Sequence, residues 1–148
     1  MKSIFLTIIF LSSVAFCNSG FAQQSQDFGP FVVHYNALTT NLIPPQVAQG
    51  YDIKRSSSRA LLNITLLRKV MDNPGSPTGA EVTATATNLT GQRREINIRE
   101  IRENEGAIYY IGEFPVHNLE TYKFNVTVTP EGETEPLVVK FSQQFYTE

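Results

Sequence analysis

Between Tyr122 and Thr129 apolar and polar side chains alternate without a break: Tyr122, Phe124, Val126 and Val128 against Lys123, Asn125, Thr127 and Thr129. A period of two places the first set on one face of an extended strand and the second on the other, predicting a strand with one buried and one solvated side. Such a strand is stable only with neighbours and a second apolar layer to cover its buried face. Pro130-Glu131-Gly132-Glu133 supplies a turn, and Leu137, Val139, Phe141 and Phe145 resume the pattern, so the two segments are expected to form a hairpin.

The same signal recurs upstream. Strands are predicted over Phe31–Leu38, Ala60–Lys69, Ala80–Thr87, Arg93–Arg102 and Ala107–Ile111, with Leu62, Ile64 and Leu66 inward in the second of these. That makes seven strands separated by turn-rich segments, the pattern of an all-β antiparallel sandwich. Proline at positions 44 and 45 followed by Gly50 predicts one short helical turn near 44–49, read as a crossover between the sheets. Tyr122 stands near the start of the sixth strand, where immunoglobulin-like sandwiches bury a tyrosine whose hydroxyl returns to the backbone upstream. This tyrosine-corner position points to an immunoglobulin-like or fibronectin-like domain over residues 28–148.

The first residues read differently. Lys2 precedes an apolar run from Ile4 to Phe10 that Thr7, Ser12 and Ser13 keep well short of the roughly 20 residues a spanning helix needs. Gly20 and Ala22 place small side chains where a signal peptidase requires them, predicting a signal peptide over 1–22 with cleavage between Ala22 and Gln23. Phe16 in front of Cys17 argues against lipid attachment there. Residues 23–27 are expected as a flexible tail. Removing the leader leaves 11 basic and 14 acidic side chains, a net charge of −3, and no cysteine. Thiol nucleophiles, thiolate zinc sites and redox pairs are thereby excluded, and no basic face marks the chain as a nucleic-acid binder. No membrane span is expected after leader removal, and a monomer is the expected state.

Several blocks together resemble a family of small secreted proteobacterial proteins catalogued as a domain of unknown function. They are Val33-His34-Tyr35-Asn36-Ala37-Leu38, Leu42-Ile43-Pro44, Tyr51-Asp52-Ile53, Arg99-Glu100-Ile101, the run Ala107 to Val116, and Gln143-Gln144-Phe145-Tyr146. The resemblance implies a bacterial periplasmic protein with an immunoglobulin-like sandwich. It implies no activity and supplies no site residues.

Candidate chemistry is sparse. His34 and His117 are the only histidines and are the candidate ligands for a periplasmic copper or zinc site, which would still need further ligands converging on the ion. No nucleophile elbow, phosphate loop or paired-carboxylate motif supports an envelope hydrolase, and no catalytic residue or cofactor is assigned. Binding of another envelope protein is the remaining reading, through an exposed tyrosine or an edge strand. Tyr110 and Tyr146 are the candidate contacts: Tyr109 and Tyr110 are adjacent, so one faces outward, and Tyr146 lies opposite the inward Phe145.

Overall fold

The structure, a computed structural model, describes residues 24–148 apart from Asp72. The predicted leader and its cleavage point lie outside these residues. Among the described residues ten strands form two antiparallel sheets. The first sheet holds β1 (Gln24–Asp27), β2 (Phe31–Thr39), β3 (Arg59–Val70), β8 (Ile108–Pro115) and β7 (Arg99–Arg102) in that order, with β4 (Asn73–Pro77) pairing the far end of β3. The second runs β10 (Leu137–Gln144), β9 (Thr121–Pro130), β5 (Ala80–Asn88) and β6 (Arg93–Ile96). Among the described residues one 3-10 turn (Thr40–Leu42) and one short helix, α1 (Pro45–Gly50), follow β2.

The alternation seen in the sequence builds the core directly. Tyr122, Phe124, Val126 and Val128 of β9 face Val33 of β2 and Leu62, Ile64 and Leu66 of β3 across the sandwich, all essentially removed from solvent. Phe114 is packed edge-on by Tyr122, Phe124 and Phe145 at centroid distances of 5.9, 5.6 and 5.9 Å. Phe124 stacks on Phe141 at 4.6 Å, which in turn meets Tyr35 at 4.7 Å. Offset and edge-to-face pairs of this kind add about 0.5–1.5 kcal/mol each beyond their buried area.

Three expectations are corrected. Gln24–Asp27 is a strand and not a free tail, pairing with β2 from Gln24 opposite Tyr35 to Asp27 opposite Val32. The predicted single strand Arg93–Arg102 is two: β6 pairs with β5 in one sheet, and β7 pairs with β8 in the other. The chain changes sheets at Asn97 and Ile98, directly over Gly112 of β8, where a side chain would have no room. The short segment after Val70 adds a further strand, β4, so ten are seen where seven were expected.

Candidate binding surfaces

Tyr122 is where the sequence places it, 1% exposed at the start of β9. Its acceptor is different: the hydroxyl donates to Oε2 of Glu120, not to upstream backbone. Glu120 also accepts from Asn88 Nδ2 at 2.7 Å and meets His117 Nδ1 at 2.9 Å. The Tyr122 hydrogen bond foremost, with those of Asn88 and His117, holds the Glu120 carboxyl below its ordinary 4.5, against a smaller opposing effect of burial. Burial pushes the Tyr122 hydroxyl up to about 12, so it stays a donor at all ordinary pH. A depressed carboxyl stabilises the fold above its unfolded value of 4.5, and that contribution disappears as pH falls through the lower folded value. Glu120→Ala is therefore expected to lose about 1–3 kcal/mol at pH 7, because the buried Tyr122 hydroxyl is left without its acceptor and Asn88 Nδ2 keeps only Gln92 Oε1. It is also expected to show a shallower fall in stability below pH 4.5 than the parent, measured by urea unfolding across pH; parallel acid limbs would refute this role.

Tyr110 is not a surface contact. Residues 108, 110 and 114 share the inward face of β8, so Tyr110 is buried and its neighbour Tyr109 faces out. The Tyr110 hydroxyl accepts from the Ala80 backbone N–H at 2.7 Å and donates to Glu100 at 3.1 Å, tying β8 to β5 and β7. Glu100 is paired in turn with Arg102. Parity within β8 could have assigned the two tyrosines, since Phe114 lies an even number of residues from Tyr110.

The two histidines do not meet. His34 pairs with Thr65 in the middle of β3 and points away from the core, whereas His117 lies beyond Pro115, which pairs with Arg59 at the opposite end of β3. Six residues of strand between those rows correspond to about 20 Å, so a two-histidine metal site is untenable. Among the described residues no group of three or more His, Cys, Asp or Glu is placed to hold a metal.

Tyr146 is exposed, as expected, at 61%. It stands with Leu42 on the rim of a 290 Å³ groove along the seam between β2 and β10, whose walls include Phe141 and Phe145. Strand β1 covers β2 only from Val32 to Tyr35. Beside the groove, at Asn36–Thr39, no described residue pairs with the β2 backbone on the side opposite β3.

A second concavity was not anticipated. Leu61, Asn63, Tyr109 and Ile111 lie on the outer face of the first sheet, and α1 with its flanking loops roofs them through Val47, Tyr51 and neighbours. Ile43, Ala48, Ile53, Leu61 and Ile111 form a small second core there. The roof is held by polar clamps. Arg55 donates to the carbonyls of Ile43 at 2.8 Å and Asn41 at 2.7 Å, the buried Thr40 hydroxyl donates to Lys54 O at 2.8 Å, and Arg99 donates to Tyr51 O. The helical turn thus packs on one sheet and does not cross between the two. The sequence signal was the unbroken apolar run in Ala60-Leu61-Leu62 and Ile108 to Ile111, which marks strands covered on both faces.

The sheet orders define the class. With β2, β3, β8 and β7 as strands A, B, E and D, and β10, β9 and β5 as G, F and C, the molecule is an immunoglobulin-like β-sandwich with Tyr122 on strand F. A family model described as a domain of unknown function, DUF4426, matches residues 25–148, and the chain belongs to that family. It is similar to the crystal structure of a DUF4426 family protein from Pseudomonas aeruginosa PAO1, with 31% sequence identity and a TM-score of 0.72 over 84% of this chain and 94% of that one. No curated protein matches the chain. Among the described residues no helix is long and apolar enough to cross a membrane.

Proposed function

We propose that the protein is a non-catalytic, periplasmic interaction module that takes up an extended segment of another envelope protein along the β2 edge. The observation that carries this reading is the groove beside Asn36–Thr39, where an aromatic wall of Phe141 and Phe145 and an exposed rim of Leu42 and Tyr146 adjoin strand backbone left uncovered by β1. An added strand gains main-chain hydrogen bonds from the edge, and its alternate side chains gain the apolar groove. Tyrosine on such a rim gives contact area at little entropy cost. In the chain processed after Ala22 only Gln23 precedes β1, which leaves most of this edge for a partner.

The test places a photo-crosslinking residue at position 146 in living cells, with position 105, on the exposed loop at the far side of β7, as control. A discrete adduct with one envelope polypeptide is expected from position 146 alone, and Leu42→Glu is expected to abolish it without shifting the melting temperature. Identical adducts from both positions, or none from 146, would overturn the reading.

A further inference from the structure

We infer that the end of the sandwich carrying Leu89 and Leu119 docks on an anionic phospholipid surface, the two leucines entering the interface while Arg93, Arg94 and Lys123 meet the headgroup phosphates. This surface lies beside the groove at Tyr146 and does not rest on the reading given to that groove.

The two leucines stand on neighbouring turns. Leu89 follows the last residue of β5, and Leu119 lies in the turn between β8 and β9. Asn88 pairs with Tyr122 across the ladder and its side chain donates to Glu120, so the turns are side by side. Leu89 is 68% and Leu119 60% exposed, and neither joins either hydrophobic core. One exposed leucine is ordinary. Two on adjacent turn tips suit a bilayer, which accepts separate protruding side chains without needing a matching shape.

Leu119 is also held where leucine is disfavoured. The Glu120 N–H donates to the His117 carbonyl at 3.2 Å, closing a four-residue turn, and Leu119 at its third position has φ +62°. A positive φ there calls for glycine or asparagine, and a bulky side chain in the left-handed region is strained. The fold gains little burial in return, because most of the side chain stays in water. Strain of this kind, retained without a structural gain, points to function.

The charges decide the occupant. Arg93, Thr87 and Lys123 are cross-strand partners in one row of the second sheet, about 7 Å behind Leu89 by the rise of two residues along β5. Among the described residues no acid lies within ion-pair distance of Arg93, Arg94 or Lys123, whereas Arg59, Arg68, Lys69 and Arg102 each have one. Glu120 is committed to Tyr122, Asn88 and His117. The acids that oppose docking are Glu95, one row deeper, and Glu148, next to the residue whose N–H binds Asn118. Apolar tips with cations one row behind them match the order of acyl chains and phosphates in a bilayer. Long basic side chains can reach forward to the phosphate plane.

The test sediments the processed chain with vesicles of phosphatidylethanolamine and phosphatidylglycerol, and with vesicles of phosphatidylcholine alone. Binding to the anionic vesicles is expected with a partition constant on the order of 10⁴ M⁻¹, falling about tenfold on phosphatidylcholine. Leu119→Asn is expected to weaken binding about tenfold, while its melting temperature holds or rises because asparagine accepts the φ of the turn. Leu89→Ser should weaken binding by a similar factor, and Arg93→Gln with Lys123→Gln should remove the preference for anionic lipid. Val138→Ser, an exposed apolar position at the opposite end of β10, should change nothing. Equal binding to both kinds of vesicle, or undiminished binding when Leu89→Ser and Leu119→Asn are combined, would overturn the proposal. Absence of binding to the anionic vesicles would also overturn it and assign the tips to a protein contact. A lower melting temperature for Leu119→Asn would show that the leucine serves the fold and would remove it from the surface.

Discussion

Phe114→Ala is expected to destabilise the domain by about 3–5 kcal/mol, the range for deleting a fully buried aromatic ring. A domain of this size is stable by only about 5–15 kcal/mol in total, so the variant should be partly unfolded near physiological temperature. The reason lies in its position. Phe114 comes from the first sheet, while Tyr122, Phe124 and Phe145, which meet it edge-on, come from β9 and the residue following β10. The ring is therefore the point at which the two layers interlock, and three aromatic neighbours on stiff strands cannot move in to refill the space. Urea unfolding should show a lower midpoint with the slope unchanged. A loss below about 1.5 kcal/mol would show that the aromatic wall collapses into the gap, contrary to this account.

Gly112→Ala should be nearly as damaging despite adding a single methyl group. A Cβ at this position would come within 2.4 Å of Ile96 Cγ2, 2.8 Å of Ile98 Cδ1 and 2.9 Å of the Asn97 carbonyl oxygen. The first two atoms belong to side chains, but the third is backbone at the point where the chain leaves one sheet for the other, so repacking alone cannot relieve the contact. Overpacking a filled interior costs about 1–3 kcal/mol, and the upper part of that range is expected. The damage should be local as well as global. Hydrogen exchange should accelerate in β6 and β7 before it does in β9, because the crossing must lift from β8. Ile96→Ala removes one offending methyl and should partly rescue Gly112→Ala in a double-mutant cycle. Uniform loss of protection across both sheets, with no coupling to Ile96, would contradict the mechanism.

Most of the architecture was legible because burial in a two-layer sandwich follows a local rule. Strands β2, β5, β9 and β10 each have one core face, and parity along the chain displays it. The errors fall where a non-local partner decides. Gln-Ser-Gln-Asp has no strand signal of its own, and β1 exists because β2 offers it an edge. Nothing within Arg93–Arg102 announces a change of sheet; the permission comes from a missing side chain in β8. The tyrosine corner was visible as a position, but the carboxylate that replaces the usual backbone acceptor was not, since nothing in the sequence marks Glu120 as the partner of Tyr122. Among the candidate surfaces, Tyr146 was legible as an exposed aromatic. The cleft at Asn63 was not, because a lone asparagine mid-strand looks like a solvated position until a helix is found above it.

Strand β1 has a consequence for how the edge behaves in time. Three of its four side chains are exposed, and besides the ladder to β2 its attachment includes an exposed ion pair between Asp27 and Lys69. A segment with so little buried apolar surface opens far more readily than the rest of the sheet. Each opening bares the β2 backbone from Val32 to Tyr35, adjoining the stretch at Asn36–Thr39. A competing strand that begins at the short uncovered stretch can then advance residue by residue as β1 peels away, exchanging one strand for another without ever leaving the edge unpaired. Displacement of this kind would lengthen the contact progressively, so the lifetime of a complex would depend on the length of the invading segment more than on any single side chain within it.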